Sequence, residues 1–278
     1  MLFRKFKQKE LKMIWEAQKN GKLSYLVGTA HFFPYSFSSS LRRYLKDARV
    51  VMFEGPLDDD NMARVREAGI DNENSYHIFN ELDEKTIAGI SSALIPAYQA
   101  RHSSYLVTFC KFDAKDIVYE MVQGMKPWLA FFTLWSAYLK RLGWNYSVDL
   151  EGYQIATELG KKIVFLETIN EQIKVLRNIS QDNIIFFLKQ VDRWKRFARE
   201  YVECYLEGDL EKLQFTRVRF PSRHHTVINE RDKIFYQRMR TELQHGQVVA
   251  LLGAPHLRGM SRLLMADGYH IKGPWLPQ

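Results

Sequence analysis

Two histidines of this chain stand in the same setting. Each closes a Gly-x-x-His step at the end of an apolar run: LVGTAH, with Gly28 and His31, and VVALLGAPH, with Gly253 and His256. Two further apolar runs end in acid, RVVMFE at Glu54 and KIVFLE at Glu167. Short runs rich in β-branched and aromatic residues read as buried strands. In open α/β sheets, ligands collect beyond the carboxyl ends of the strands. If the four runs are parallel neighbours, two imidazoles and two carboxylates meet at one edge. Glycine, lacking a Cβ, lets the backbone turn sharply there and lets a ligand come close.

Two chemistries need such a group. Two histidines and a carboxylate suit a divalent ion (Mn, Co or Zn) that activates water or polarises a carbonyl. Alternatively, one neutral histidine takes a proton from water while Glu54 or the second histidine orients it. Both use His31, Glu54 and His256, so these residues leave the choice open. Structural roles compete at each acid. Glu54 could cap the following helix, Glu167 lies just before the N-cap candidate Thr168, and Asp149 could be a cap itself. The pair His224-His225 lacks a metal-ligand partner nearby and reads as loop. Asp58-Asp59-Asp60 reads as a solvated turn, and Cys110 and Cys204 read as core.

The elements that must position these residues alternate. Strands are expected at Leu23–Val27, Val50–Phe53, Ile163–Leu166 and Val248–Leu252, with Tyr269–Lys272 as one more. Lys12–Glu16 pairs with the first through an Asn20-Gly21 turn. Helical patterns cover Ser38–Ala48, Leu150–Leu159, Ile169–Ile179 and Leu257–Met265, with Gly160 at a helix C-cap. The fold class is therefore α/β, a mixed sheet with crossover helices. Between about residues 61 and 145 no strand is convincing, and helices are expected at Thr86–Arg101 and Pro127–Arg141. Asn183–Glu207 reads as one more long helix. These form a helical insertion within a single domain spanning 1–278. The two Gly-x-x-His segments each run strand, histidine, helix, strand, a weak internal repetition.

The bulk composition sets the boundaries. Of 278 residues, 46% are hydrophobic and 26% charged, the balance of an ordinary globular protein. Two cysteines without a CxxC spacing point to a reducing compartment, and with no secretory signal pattern the expectation is cytoplasmic. The most apolar segment, Pro127–Leu139, is shorter than the ~20 residues that span a bilayer, so no integral membrane segment is expected. The net charge of +8 is concentrated partly in RVRFPSRHH, Arg217–His225. No helix-turn-helix, zinc-finger or RNA-recognition signature accompanies it. A solvated face or a site for anionic substrates is expected there, and nucleic acid is not an expected partner.

The motifs LVGTAH, VVMFEGPLD, SVDLEGYQIATELGKKIVFLETINEQI, YLEGDLEKL, NERDKIFYQRM and LLGAPHLRGMSRLLMADGY resemble the TraB/PrgY/GumN group. That group belongs with the Tiki proteases, the erythromycin esterases and the haem-binding ChaN proteins in one superfamily. The resemblance runs in order from about Leu23 to the C-terminus and is loose over the helical insertion. It implies a shared α/β core with His31, Glu54 and His256 at its centre. It also implies a role for Arg231, in NERD, in holding an oxyanion, a carboxylate or a phosphate. Asp149 and Glu167 fall on matching family positions, as supporting residues beside Gly28 and Gly253. The sequence departs from the pattern at Pro255, where glycine is more usual and which offers no N–H, and at Ser147. The expectation is a divalent-metal-dependent peptidase acting on a peptide. The alternatives are a metal-free esterase of small ester substrates, and a peptide- or haem-binding protein.

Overall fold

A computed structural model of the chain describes residues 8–71, 77–101, 114–215, 220–222 and 225–274. Its strands are β1 (Ile14–Lys19), β2 (Lys22–Thr29), β3 (Val50–Phe53), β4 (Lys162–Phe165), β5 (Val248–Gly253) and β6 (His270–Lys272). They form one mixed sheet in the order β4-β3-β5-β2-β1-β6. Asn20 and Gly21 both take positive φ, 51° and 73°. That is the geometry of a type I′ turn, whose twist suits a hairpin, and β1 and β2 pair antiparallel across it. β2, β5, β3 and β4 run parallel. The central strands β3 and β5 read VVMF and VVALLG, and their apolar residues are all buried. Such unbroken apolar runs are expected of parallel strands covered on both faces.

Register sets the level of the strand ends. Thr29 lies opposite Gly253, while Phe53 lies opposite both Leu251 and Phe165. The two Gly-x-x-His strands are thus immediate neighbours, and all four parallel strands stop at nearly the same height. Of the repeated segments, β3 pairs beside β5 but β6 pairs beside β1, so the repetition does not extend to equivalent places in the sheet.

The helices are α1 (Ser38–Leu45), α2 (Asp59–Ala68), α3 (Glu84–Arg101), α4 (Ala114–Val122), α5 (Pro127–Arg141) and α6 (Val148–Glu158). There follow α7 (Ile169–Arg177), α8 (Gln181–Leu188), α9 (Trp194–Glu207), α10 (Leu210–Phe215), α11 (His225–Leu243) and α12 (Leu257–Ala266). Gly160, just past α6, takes φ +62°, the left-handed conformation expected after a helix end. The insertion is helical as expected, and among its described residues the only pairing is the isolated bridge of Ile70 with Met125. Side chains of the sheet, such as Val51 and Leu251, and of the insertion, such as Phe131 and Trp194, join one continuous core. Among the described residues no helix is long and apolar enough to cross a membrane.

Three readings of the sequence need correction. Asn183–Glu207 is not one helix, since α8 ends at Leu188 and α9 starts at Trp194 after a tight turn. The reason is aromatic packing. The Trp194 indole donates to the Phe187 carbonyl at 3.3 Å, and the two rings stack 6.0 Å apart. A continuous helix would separate residues seven apart by ~10 Å along its axis. Second, Asp58-Asp59-Asp60 opens α2: the Asp58 carboxylate accepts from Asn61 N at 3.0 Å, and the other two acids lie in the first turn. Third, Asp149 is not a cap, whereas Thr168 is one, as expected. Ser147 caps α6, and Thr168 caps α7 in a reciprocal box with Glu171. Cys204 is buried, as expected of a core residue. Cys110, His224, the His225 side chain and most of the Arg217–His225 run lie outside the described residues.

Candidate active site

Each parallel strand delivers one polar residue to the shared edge. Glu54 follows β3 and Glu167 follows β4, while His256 sits in the 3-10 turn Ala254–His256 after β5. His31 lies two residues past β2. Helix α11 crosses this edge and contributes Arg231 and Asp232, and the first turn of α6 contributes Asp149.

Arg231 ties the buried part together. Its Nε and Nη2 donate to the two Glu167 oxygens at 3.1 and 2.6 Å, and Nη2 also donates to Glu54 Oε2 at 2.7 Å. Nη1 lies 3.2 Å from His256 Nε2. A guanidinium can only donate, so His256 Nε2 accepts and its Nδ1–H points to Asp232 Oδ1, 2.6 Å away. That geometry assigns His256 the neutral tautomer with its proton on Nδ1. Phe235, one helical turn beyond Arg231, underlies both groups: the guanidinium carbon is 5.0 Å from its ring and the imidazole 5.1 Å.

The two glutamates sharing Arg231 are driven apart. Burial alone would raise Glu54. The Arg231 charge, with smaller contributions from the His256 and His31 imidazoles and the Gly253 N–H, outweighs it and holds the carboxyl at about 2. That N–H donates to Glu54 Oε1 at 2.5 Å. Glu167 is raised by its deeper burial, which Arg231 opposes and the neighbouring Glu54 charge reinforces. Burial likewise raises Asp232 against the pull of His256. Arg231 is held protonated, since Glu54 and Glu167 overcome its own burial.

His31 differs from all of these in exposure: 73% of its side-chain surface meets solvent, against 2% for His256. Its Nδ1 lies 3.0 Å from Asp149 Oδ2, and Asp149 is buried to 8%. Among the described residues no donor is aligned for a hydrogen bond with that oxygen. The exposed imidazole therefore stands beside a buried carboxyl group.

The small residues are required by close approach. A Cβ on Gly253 would come 2.9 Å from Glu54 Oε1, and one on Gly28 would come 2.7 Å from Leu257 Cδ1. The Gly28 carbonyl accepts from the Tyr205 hydroxyl at 2.5 Å, which anchors the end of β2 to α9. Pro255 occupies the first turn of the 3-10 helix, where its missing N–H costs nothing. The backbone donor in this motif is Gly253, so the departure at Pro255 leaves that bond intact.

The structure thus brings His31, Glu54, His256, Arg231, Asp149, Glu167, Gly28 and Gly253 to one sheet edge. Sequence reasoning missed Asp232. Its signal was present in the Arg231-Asp232 pair, but one helix normally turns adjacent residues to different neighbours. Here the absent side chain of Gly259 lets α12 come close: a Cβ there would lie 1.7 Å from Asp232 Oδ2.

Both histidines turn Nδ1 to a carboxylate, an orientation also found among metal-ligating imidazoles. A single ion shared by His31, Glu54 and His256 does not fit this arrangement. Both Glu54 oxygens are engaged, by Arg231 and Gly253, and the Arg231 guanidinium faces His256 Nε2. Among the described residues no three His, Cys, Asp or Glu side chains converge on one point. Arg231 supplies the positive charge at this position.

No curated protein and no solved structure matches the chain. The model of the TraB/PrgY/gumN family matches residues 13–273, from the first strand to the last, and takes in every residue of the cluster. The chain belongs to the TraB/PrgY/gumN family.

Proposed function

We propose that the chain is a hydrolase that cleaves a peptide or a small ester at this sheet edge, with His31 as general base. One observation carries the reading: an exposed imidazole is backed by a buried carboxylate, His31 on Asp149 at 3.0 Å. In this reading the ring of His31 turns its Nδ1–H into line with Asp149, and the neutral imidazole then has Nε2 as its basic atom. It takes a proton from water as that water attacks the carbonyl carbon, and Asp149 stabilises the imidazolium. The same proton then passes to the leaving amine or alcohol. Arg231 uses four donor contacts on Glu54, Glu167 and His256, leaving one of its five N–H groups for a developing oxyanion.

A second reading retains a divalent ion, supported by the two histidine–carboxylate pairs. It requires Arg231 to withdraw from Glu54. The test is a screen of peptide and ester libraries with the full chain, with and without chelator, beside His31→Ala and Asp149→Asn. Hydrolysis that survives chelation, disappears in His31→Ala and falls in Asp149→Asn is expected. Hydrolysis undiminished in His31→Ala sinks the proposal. Metal content that is stoichiometric in the wild type and lost in His31→Ala replaces it with the second reading.

A further inference from the structure

Beyond Glu167 the sheet edge opens into a cavity of about 520 Å³ between α2, the end of β4, and helices α7 and α11. That volume lies within the ~300–1,000 Å³ range of small-molecule sites. Its wall includes Asn61, Arg64, Phe165, Glu167, Asn170 and Arg238. Glu167 belongs to both the cavity wall and the Arg231 cluster, so one residue joins the two.

The two arginines of the wall are in different states. Arg238 is already paired with a carboxylate: its two terminal nitrogens reach the Glu171 oxygens at 2.7 and 2.9 Å, and one also donates to the Leu166 carbonyl at 2.6 Å. Arg64 has no carboxylate partner among the described residues. It donates to two amide oxygens, Asn170 Oδ1 at 3.0 Å and Asn61 Oδ1 at 3.3 Å. Asn61 is itself fixed, because its Nδ2 donates to both Asp58 oxygens at 3.0 and 2.8 Å. Neutral amides orient a guanidinium without discharging it, and among the described residues they engage two of its five N–H donors. The opposing charge on the wall, Glu167, is turned to Arg231 at 2.6 Å. The N-cap and first residues of α7, Thr168 to Asn170, also line the cavity, and the positive end of that helix dipole adds to the field.

We infer that this cavity is an acid-recognising subsite, in which Arg64 pairs with a carboxylate carried by the substrate while Phe165 packs against the adjoining apolar part. The word substrate rests on the hydrolase reading above; the binding claim does not. A planar guanidinium fork matches a carboxylate in two parallel hydrogen bonds, which a neutral amide group cannot reproduce.

The experiment compares binding of N-acetylphenylalanine and N-acetylphenylalanine amide to the full chain by calorimetry, with inorganic phosphate as a third probe. Wild type is expected to bind the acid at least tenfold more tightly than the amide. Arg64→Gln, at an exposed position outside the strand-end cluster, is expected to erase that preference with its melting temperature unchanged, whereas His31→Ala keeps it. Equal binding of acid and amide to wild type overturns the inference, as does a preference that persists in Arg64→Gln. Phosphate binding as tightly as the acid, and lost with it in Arg64→Gln, also overturns it in favour of a general anion site. An acid preference found without any hydrolysis removes the hydrolase reading and leaves the subsite standing.

Discussion

Replacing Arg231 by methionine keeps much of the side-chain volume and removes the charge shared by Glu54 and Glu167. The loss can be sized from Glu54, whose ordinary value of 4.5 falls to about 2 in the folded chain. A difference of that size amounts to about 3 kcal/mol of stability near neutral pH. Removing one partner of a buried ion pair costs ~3–5 kcal/mol in general, so the two scales agree. At roughly 2–4 °C per kcal/mol in domains of 150–250 residues, the melting temperature should fall by about 10 °C. The sign of the pH dependence follows from the direction of the shift. A depressed carboxyl contributes its full stability above its unfolded value of 4.5 and loses it as pH falls through about 2. The gap between wild type and Arg231→Met should therefore be widest near pH 7 and fall to less than roughly half near pH 3. Urea denaturation followed by fluorescence and circular dichroism at both pH values measures it. A loss below about 1 kcal/mol near pH 7 refutes the reasoning. So does a loss of equal size at the two pH values, which would mark a packing defect. The double variant Glu54→Gln/Arg231→Met should be less destabilised than the sum of its single changes, because it leaves one fewer buried charge without a partner.

Other changes test the supports of the cluster. Gly259→Ala places a methyl 1.7 Å from Asp232 Oδ2 and should cost about 1–3 kcal/mol, with a shift of the His256 imidazole resonances that a surface alanine would not cause. Tyr205→Phe removes the donor to the buried Gly28 carbonyl and should lower stability by about 1–3 kcal/mol in denaturant titrations. Thr168→Ala breaks the capping box of α7 and should cost about 0.5–2 kcal/mol, again read by denaturation.

Much of this cluster was legible because of where the apolar runs stop. A parallel strand buried on both faces must be apolar throughout, so the first polar residue after VVMF or VVALLG marks the sheet edge within a residue or two. Pro127–Arg141 was legible for a similar reason: proline opens the helix and basic residues close it, and α5 has those bounds. Asp232 was not legible, because its place depends on α12 approaching α11 at Gly259, a contact between distant segments. The break before Trp194 was hidden too, since the helical periodicity continues through it and only tertiary stacking of Trp194 on Phe187 favours the turn. Nor does the Gly-x-x-His spacing reveal that one histidine is exposed and the other sealed behind Arg231. That difference arises because α11 covers the end of β5, while His31 lies in a loop beyond the end of β2.

The position of β5 has a consequence for folding. Its residues, Val248–Gly253, lie far along the chain from β2 and β3, yet the strand sits between those two at the centre of the sheet. Until it arrives, β2 and β3 have no common neighbour and Glu54 lacks the Gly253 donor. Because segments far apart in the chain must meet before either side gains, the central pairing is slow by nature. A chain in which β5 has not yet docked carries His31 and Asp149 without the strand that joins their side of the sheet to Glu54. The arrangement makes assembly of the strand-end cluster depend on the docking of β5, so a partly folded chain can hold His31 near Asp149 while the bond between Glu54 and Gly253 is still unmade.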